Sequence, residues 1–137
     1  MTREGSNDGL LHREITSSIL ESFFQVHYEL GFGFLESIYA KAMEHVLIES
    51  GHHVRRESPI DVFFRGERSG HFRADLIVES AVLVEIKCAE QLDPNAQAQV
   101  LNYLRATNIE VALLLHFGPK ARFKRFVFAN HRKLLPR

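Results

Sequence analysis

The spacing of hydrophobic residues changes along this 137-residue chain, and the order of the changes restricts the fold. Apolar side chains recur every three or four positions in residues 10–30, 34–50 and 94–106, which is typical of helices with one buried face. The other segments are short runs with the composition of strands: residues 54–57, 60–64, 72–78, 82–88, 111–117 and 123–128. The resulting order, ααββββαββ, predicts an α/β (α+β) domain with a mixed β-sheet.

The length and composition indicate one globular domain, which we place at residues 10–130. Hydrophobic residues make up 45% of the chain and charged residues 25%, proportions that exclude disordered, collagen-like and coiled-coil proteins. The single cysteine, Cys88, can form no internal disulfide, and no Cys/His set has the spacing of zinc ligands. We expect a flexible tail at residues 1–9, a basic tail at residues 131–137 and, since neither a signal peptide nor a membrane-length apolar run is visible, a cytoplasmic location.

Charge is distributed unevenly, although 17 basic and 17 acidic residues give a formal net charge of zero. Every Asp and Glu lies at or before Glu110, and the charged residues after it are all Lys or Arg. A basic C-terminal segment can bind a phosphate backbone, although a solvated charged surface explains the same pattern. Nucleic acid is therefore a candidate partner.

One predicted β-hairpin brings three polar side chains together. If residues 79–81 form a three-residue loop, Asp75 on the first strand faces Glu85 on the second. Lys87 follows Glu85 by two residues and so projects from the same side of the sheet. A two-residue loop would pair Asp75 with Val84 instead, so the cluster depends on this register.

Two facing carboxylates repel each other unless a cation lies between them. Mg²⁺ suits such a position because it binds one or two carboxylates together with phosphate and water. Lys87 could then neutralise charge or orient an attacking water. The alternative is a surface network of Asp75, Glu85 and Lys87 that contributes little to stability.

Three polar residues on predicted helices are further candidates. Glu36 lies at the margin of an apolar helix face, where a carboxylate is either paired or a ligand, although its place near the helix start also explains it. Gln99 and Tyr103 are four residues apart and share a helix face. Both can donate hydrogen bonds to phosphate oxygens, and the tyrosine ring can stack on a base, although the pair alone is a weak signal.

These motifs resemble those of a known group of enzymes. Asp75, a short gap and Glu85-Ile86-Lys87 resemble the core of the PD-(D/E)XK nuclease superfamily, and Gln99-Val-Leu-Asn-Tyr103 resembles an element of its RecB-like exonuclease branch. The segment Gly33-Phe-Leu-Glu36-Ser-Ile-Tyr39 resembles the signature of the GxxExxY protein family, which belongs to that superfamily. The resemblance covers about residues 10–130, with Ala74 in place of the proline of the superfamily's name.

The resemblance implies a restriction-endonuclease-like fold, in which a central mixed sheet is flanked by helices. It implies Mg²⁺ or Mn²⁺ held by Asp75, Glu85, Glu36 and the backbone carbonyl of Ile86, with Lys87 as the catalytic lysine. Gln99 and Tyr103 would bind the DNA backbone or position Lys87. The other expected substrate contacts are Tyr39, Arg73, Lys120, Arg122, Lys124 and Arg125.

The sequence therefore predicts a metal-dependent nuclease that hydrolyses phosphodiester bonds, in DNA rather than RNA. One alternative is a catalytically silent module of the same fold that binds nucleic acid or protein. Another is a nuclease that is active only in a larger assembly, as a homodimer or with a protein partner.

Overall fold

A five-stranded mixed β-sheet lies between helices on both of its faces. The computed structural model describes residues 11–133. The helices are α1 (Arg13–Leu30), α2 (Glu36–Glu49) and α3 (Pro94–Arg105), followed near the end of the described chain by a short 3₁₀ helix, Asn130–Arg132. The strands are β1 (Val54–Phe64), β2 (Glu67–Val78), β3 (Val82–Lys87), β4 (Val111–Phe117) and β5 (Ala121–Val127). This architecture confirms the predicted mixed α/β class and the sheet flanked by helices.

The strands follow one another across the sheet in chain order, from β1 to β5. Strands β3 and β4 are parallel, whereas the other neighbouring pairs are antiparallel. A parallel pair requires a crossover connection, and α3 provides it. Helix α3 consequently begins after the carboxyl end of β3 and packs on the sheet mainly against β4 and β5.

The two faces of the sheet form separate hydrophobic cores. Helices α1 and α2 cover one face, where Phe23 and Met43 pack against Val84 and Leu113. Helix α3 covers the other face, where Val100 and Leu104 pack against Leu83 and Leu114. The central strands alternate between these cores, which explains why they are apolar on both sides.

The predicted element order is wrong at one point. Residues 54–57 and 60–64 are not two strands but parts of the single strand β1, so the observed order is ααβββαββ. The dipeptide Ser58-Pro59 suggested a break because proline has no N–H for the sheet. Strand β1 tolerates Pro59 because it is an edge strand that pairs only with β2.

The start of α3 is predicted correctly, whereas the termini of most other elements differ from the prediction by a few residues. Helix α1 begins at Arg13, and α3 begins after Asp93, whose carboxylate accepts a hydrogen bond from the Asn95 N–H at 2.9 Å. The predicted tail at residues 1–9 lies outside the described residues. Of the predicted tail at residues 131–137, residues 131–133 are described, and the Lys133 ammonium donates hydrogen bonds to the carbonyls of Thr107 and Ile109.

Crossing a lipid bilayer takes a helix of about 20 mainly apolar residues. Within residues 11–133, no helix is long and apolar enough to do so. The exposed part of α1, for example, carries charged residues between its apolar ones.

Candidate active site

The β2–β3 hairpin has the register on which the predicted cluster depends. Its paired residues are Leu76 with Val84, Ile77 with Leu83, and Val78 with Val82, so the connection is the expected three-residue loop. Regular pairing ends at Leu76 and Val84, immediately before Asp75 and Glu85. The two carboxylates therefore stand at the point where the strands cease to pair with each other.

Side-chain hydrogen bonds replace the backbone ladder at this point. Glu85 Oε1 accepts a hydrogen bond from the backbone N–H of Asp75 at 3.2 Å, and Asp75 Oδ2 accepts one from the backbone N–H of Ile86 at 2.7 Å. Each carboxylate is thus held by the main chain of the opposite strand. This reciprocal arrangement fixes both side chains next to each other.

Burial raises the pKa of both carboxyl groups, since Glu85 is buried and Asp75 is half-buried. Glu85 is only 4% exposed, and burial, followed by the charge of Asp75, raises its pKa from 4.5 to about 8. Burial also raises the pKa of Asp75, the charges of Glu36 and Glu57 add to the effect, and the Ile86 N–H and Lys87 oppose it. Buried carboxyl groups with raised pKa values are a common feature of functional sites.

The oxygen atoms left over suit a hard divalent cation. Among residues 11–133, Asp75 Oδ1 and Glu85 Oε2 accept no hydrogen bond from a protein group. Carboxylate oxygens that are close together and lack protein donors form the kind of donor set that Mg²⁺ or Mn²⁺ binds. The residues present therefore fit such an ion.

Glu36 is close enough to act on this pair electrostatically but does not complete a ligand cluster. It is the first residue of α2, its side chain is exposed, and its charge raises the pKa of both Asp75 and Glu85. No three Asp, Glu, His or Cys side chains within residues 11–133 are grouped closely enough to hold one metal ion. In this structure Glu36 is an acidic neighbour of the carboxylate pair, and its role as a metal ligand stays a prediction.

An open cleft of about 580 Å³ lies beside the carboxylate pair, and we call it the active-site cleft. Lys87, Glu36, Gln99 and Tyr103 all line it. It therefore brings together the predicted catalytic lysine, the acidic residue of α2 and the predicted substrate contacts of α3.

Tyr103 is held in the active-site cleft from two sides. Its ring stacks on Phe72 of β2, with centroids 3.6 Å apart and an interplanar angle of 7°. Burial and the charges of Glu85 and Asp75 raise the pKa of its hydroxyl, whereas a hydrogen bond from Gln99 lowers it. The Tyr103 hydroxyl thus remains a neutral donor near the carboxylates.

Tyr39 does not have the predicted role of a substrate contact, because its side chain is completely buried. Its hydroxyl donates a hydrogen bond to the Gly31 carbonyl at 2.5 Å and accepts one from the Phe34 N–H at 3.2 Å. Its ring stacks on Phe117, with centroids 4.3 Å apart. Tyr39 therefore fixes the loop before α2 and, through it, the position of Glu36.

The predicted basic contacts fall on different parts of the surface. Arg73 is exposed on β2, two residues before Asp75. Arg122 and Lys124 line a second cleft beside the active-site cleft, and Lys120 lies in a smaller pocket with Arg122. Arg125 is separated from them, because its guanidinium donates a hydrogen bond to the Leu11 carbonyl at 2.7 Å. Substrate contact by Arg125 stays a prediction.

Two residues of this region were not singled out from the sequence. Phe72 has the appearance of an ordinary strand residue, and only the fold reveals its stacking on Tyr103. The second is His116, whose Nε2 donates a hydrogen bond to the Ala89 carbonyl at 2.6 Å. Its one sequence signal is a polar residue inside the otherwise apolar strand β4.

Comparison with solved structures supports the fold independently. The crystal structure of SSO0001 matches 67% of this chain, with a TM-score of 0.55 and 19% sequence identity. The match covers 49% of the chain of SSO0001, so our chain corresponds to about half of that protein's length. At this identity the similarity concerns the fold alone. No curated protein matches the chain significantly.

A family model provides the stronger relationship. The model described as PD-(D/E)XK nuclease superfamily matches residues 13–126, which include every secondary-structure element from α1 to β4 and most of β5. This range also contains the Asp75 and Glu85 pair, Lys87 and the cleft residues of α3. The chain belongs to the PD-(D/E)XK nuclease superfamily.

Proposed function

We propose that this protein is a Mg²⁺- or Mn²⁺-dependent nuclease that hydrolyses phosphodiester bonds in DNA. The observation that carries the proposal is the pair formed by the buried Glu85 and the half-buried Asp75, fixed by reciprocal bonds to the main chain and bordered by Lys87. Two carboxyl groups held side by side with little access to water are unfavourable for folding on their own. Binding a divalent cation and a phosphate gives the pair a chemical use.

In the proposed mechanism, Asp75, Glu85 and the backbone carbonyl of Ile86 hold the ion. When bound, it polarises the scissile phosphate and lowers the pKa of an attacking water. Both carboxyl groups must be ionised for this purpose, so metal binding would release the proton that the raised pKa of Glu85, about 8, retains at neutral pH. Glu36 contributes negative charge at the edge of the same site.

Lys87, Gln99 and Tyr103 act on the substrate rather than on the ion. Lys87 lines the active-site cleft, where an ammonium group orients the attacking water and offsets the charge that develops on the phosphate. Tyr103, aligned by Phe72 and Gln99, offers its hydroxyl as a donor to a phosphate oxygen. Gln99 offers its amide group in the same cleft.

We further propose that the chain is a member of the GxxExxY family within the RecB-like branch of the superfamily. The segment from Gly33 to Tyr39 supports the first assignment, because Tyr39 anchors the loop that presents Glu36. The pairing of Gln99 and Tyr103 in one cleft with Lys87 supports the second. A cytoplasmic location stays a prediction from the sequence.

The decisive experiment is cleavage of labelled linear DNA, single- and double-stranded, in Mg²⁺, Mn²⁺ or EDTA. Lys87→Ala should abolish cleavage while leaving the folded state and metal affinity almost unchanged. Asp75→Asn should abolish cleavage together with metal binding, since the amide keeps an acceptor for Ile86 but loses the charge. Labelled RNA of the same sequence tests the choice of DNA. Cleavage that persists in EDTA or in Lys87→Ala would refute the proposal.

One observation favours a second candidate, a nucleic-acid-binding module without catalytic turnover. No three-residue ligand cluster exists within residues 11–133, and Glu36 stays outside the carboxylate pair. Such a module would bind DNA with strong salt dependence and no need for divalent ions. Affinity that requires Mg²⁺ and disappears in Asp75→Asn would exclude it, and light scattering would test whether a homodimer supplies the missing parts.

A further inference from the structure

A second cleft lies beside the active-site cleft on the same face of the sheet. It has a volume of about 510 Å³ and is lined by residues of β4, β5 and the connection between β3 and α3, among them His116, Arg122 and Lys124. We call it the basic cleft. Gln91 and Leu92 line both clefts, so only the β3–α3 connection separates them.

The sheet register gives the distance between the two clefts. Lys87 pairs with His116, and His116 pairs with Arg122, so these residues form one row across three neighbouring strands. In the next row on the same face of the sheet, Glu85 pairs with Leu114, and Leu114 pairs with Lys124. Because neighbouring strands are about 4.8 Å apart, the backbone of Arg122 is about 10 Å from that of Lys87. Directly paired residues project to the same face.

The charges of the two clefts are opposite in sign. The active-site cleft is lined by two acidic residues, Glu36 and Asp93, and by one basic residue, Lys87. The basic cleft receives Arg122 and Lys124, and its one acidic lining residue among those described is Glu90. Neither Arg122 nor Lys124 forms an ion pair with a carboxylate in the described part of the chain.

The wall between the clefts is held in place by β4. The His116 ring is 94% buried and binds the Ala89 carbonyl of the β3–α3 connection at 2.6 Å. A side chain at Gly118 would bring a Cβ within 2.8 Å of this ring, so glycine leaves the space that the imidazole occupies. The basic cleft is thus bounded by a fixed wall and not by a loop without anchors.

We infer that the basic cleft binds the backbone phosphates of the same nucleic acid strand that the active-site cleft cuts, one to three nucleotides from the scissile bond. A stacked strand rises about 3.4 Å per nucleotide, so about 10 Å corresponds to at most three of them. Arg122 and Lys124 are the phosphate ligands. The contacts go to the backbone, so the cleft adds affinity without reading sequence. This inference rests on the proposed function, since the ligand is the substrate of that site.

The test measures binding separately from cleavage. A labelled single-stranded oligonucleotide is titrated in EDTA over a range of salt concentrations, using wild type and the double variant Arg122→Gln/Lys124→Gln. Loss of two phosphate contacts should lower the slope of log affinity against log salt by about 1.4. The control is Lys41→Gln, which removes an exposed positive charge from α2, on the opposite face of the sheet. Circular dichroism checks that every variant is folded.

Cleavage kinetics provide the second measurement. The double variant should raise KM and leave kcat almost unchanged, because contacts away from the scissile phosphate bind substrate and transition state equally. An unchanged salt slope in the double variant, or an equal loss in Lys41→Gln, would overturn the inference even if the wild type cleaves DNA. A reduced slope in a protein that shows no metal-dependent cleavage would support the basic cleft and refute the proposed nuclease.

Discussion

Replacing the buried carboxyl group of Glu85 by an amide should make the metal-free protein more stable. Glu85→Gln keeps an oxygen that can accept the Asp75 N–H but removes the ionisable group. In the wild type, burial and the charge of Asp75 raise the pKa of Glu85 from 4.5 to about 8. The folded state therefore binds a proton that the unfolded state releases at neutral pH.

The sign and size of the effect follow from this difference in pKa. Between pH 4.5 and pH 8 the folded wild type holds more protons than the unfolded chain, so its free energy of unfolding falls as pH rises, by about 1.4 kcal/mol per pH unit. At pH 7 the accumulated loss is about 3 kcal/mol. Glu85→Gln avoids this loss, so its advantage should be absent at pH 4 and about 3 kcal/mol at pH 7.

Urea unfolding in EDTA, followed by circular dichroism at several pH values, measures the difference. Glu21→Gln is the control, since Glu21 is exposed on α1 and its replacement should change stability by less than about 0.5 kcal/mol. A variant Glu85→Gln that is less stable than wild type at pH 7 would show that the ionised carboxylate is already compensated by protein groups. The argument for a cation between Asp75 and Glu85 would then lose its physical basis.

Three other outcomes test neighbouring parts of the structure. Millimolar Mg²⁺ or Mn²⁺ should raise the Tm of the wild type in a thermal scan at pH 8 but leave that of Glu85→Gln almost unchanged, because the ion stabilises the folded state only where it binds. Tyr39→Phe should lower the free energy of unfolding by about 1–2 kcal/mol in urea titrations, since it removes the hydroxyl bonds to Gly31 and Phe34, and cleavage should weaken as Glu36 loses its support. Acid titration should show a stability contribution from Glu79 that is present above its ordinary pKa of 4.5 and lost as pH falls through its lowered folded pKa. This contribution comes from its hydrogen bond to His52 and should be missing in Glu79→Gln.

Local patterns were sufficient to predict the parts of the fold and site that depend on short-range periodicity. The three-residue loop fixed the register of the β2–β3 hairpin, and with it the meeting of Asp75 and Glu85. The helix predicted to begin at residue 94 does begin at Pro94, directly after its N-cap Asp93. The break expected at Pro59 failed because whether a strand tolerates proline depends on its place in the sheet, and an edge position is a property of the assembled fold.

Positions that depend on long-range packing could not be predicted. Tyr39 lies in a motif with Glu36 and was expected to touch substrate, but its ring is buried against Phe117, which is distant in the sequence. Likewise, Arg122, Lys124 and Arg125 form one basic run in the sequence. Strand alternation and a hydrogen bond to Leu11 separate Arg125 from the other two.

The interrupted pairing at the end of the β2–β3 hairpin is unfavourable for stability but suitable for binding a cation. A continuous ladder through Asp75 and Glu85 would use only backbone groups and leave both carboxylates without main-chain donors to hold them in place. Here the carboxyl groups accept the backbone N–H groups, which fixes the buried Glu85 beside the half-buried Asp75 and leaves one oxygen of each group without a protein donor among the described residues. The protein tolerates this unfavourable arrangement because the two apolar cores beside it stabilise the fold. The unfavourable position of the Glu85 carboxyl group therefore has two measurable consequences. Glu85→Gln should lose cleavage activity and gain stability, and the proposed nuclease requires both results.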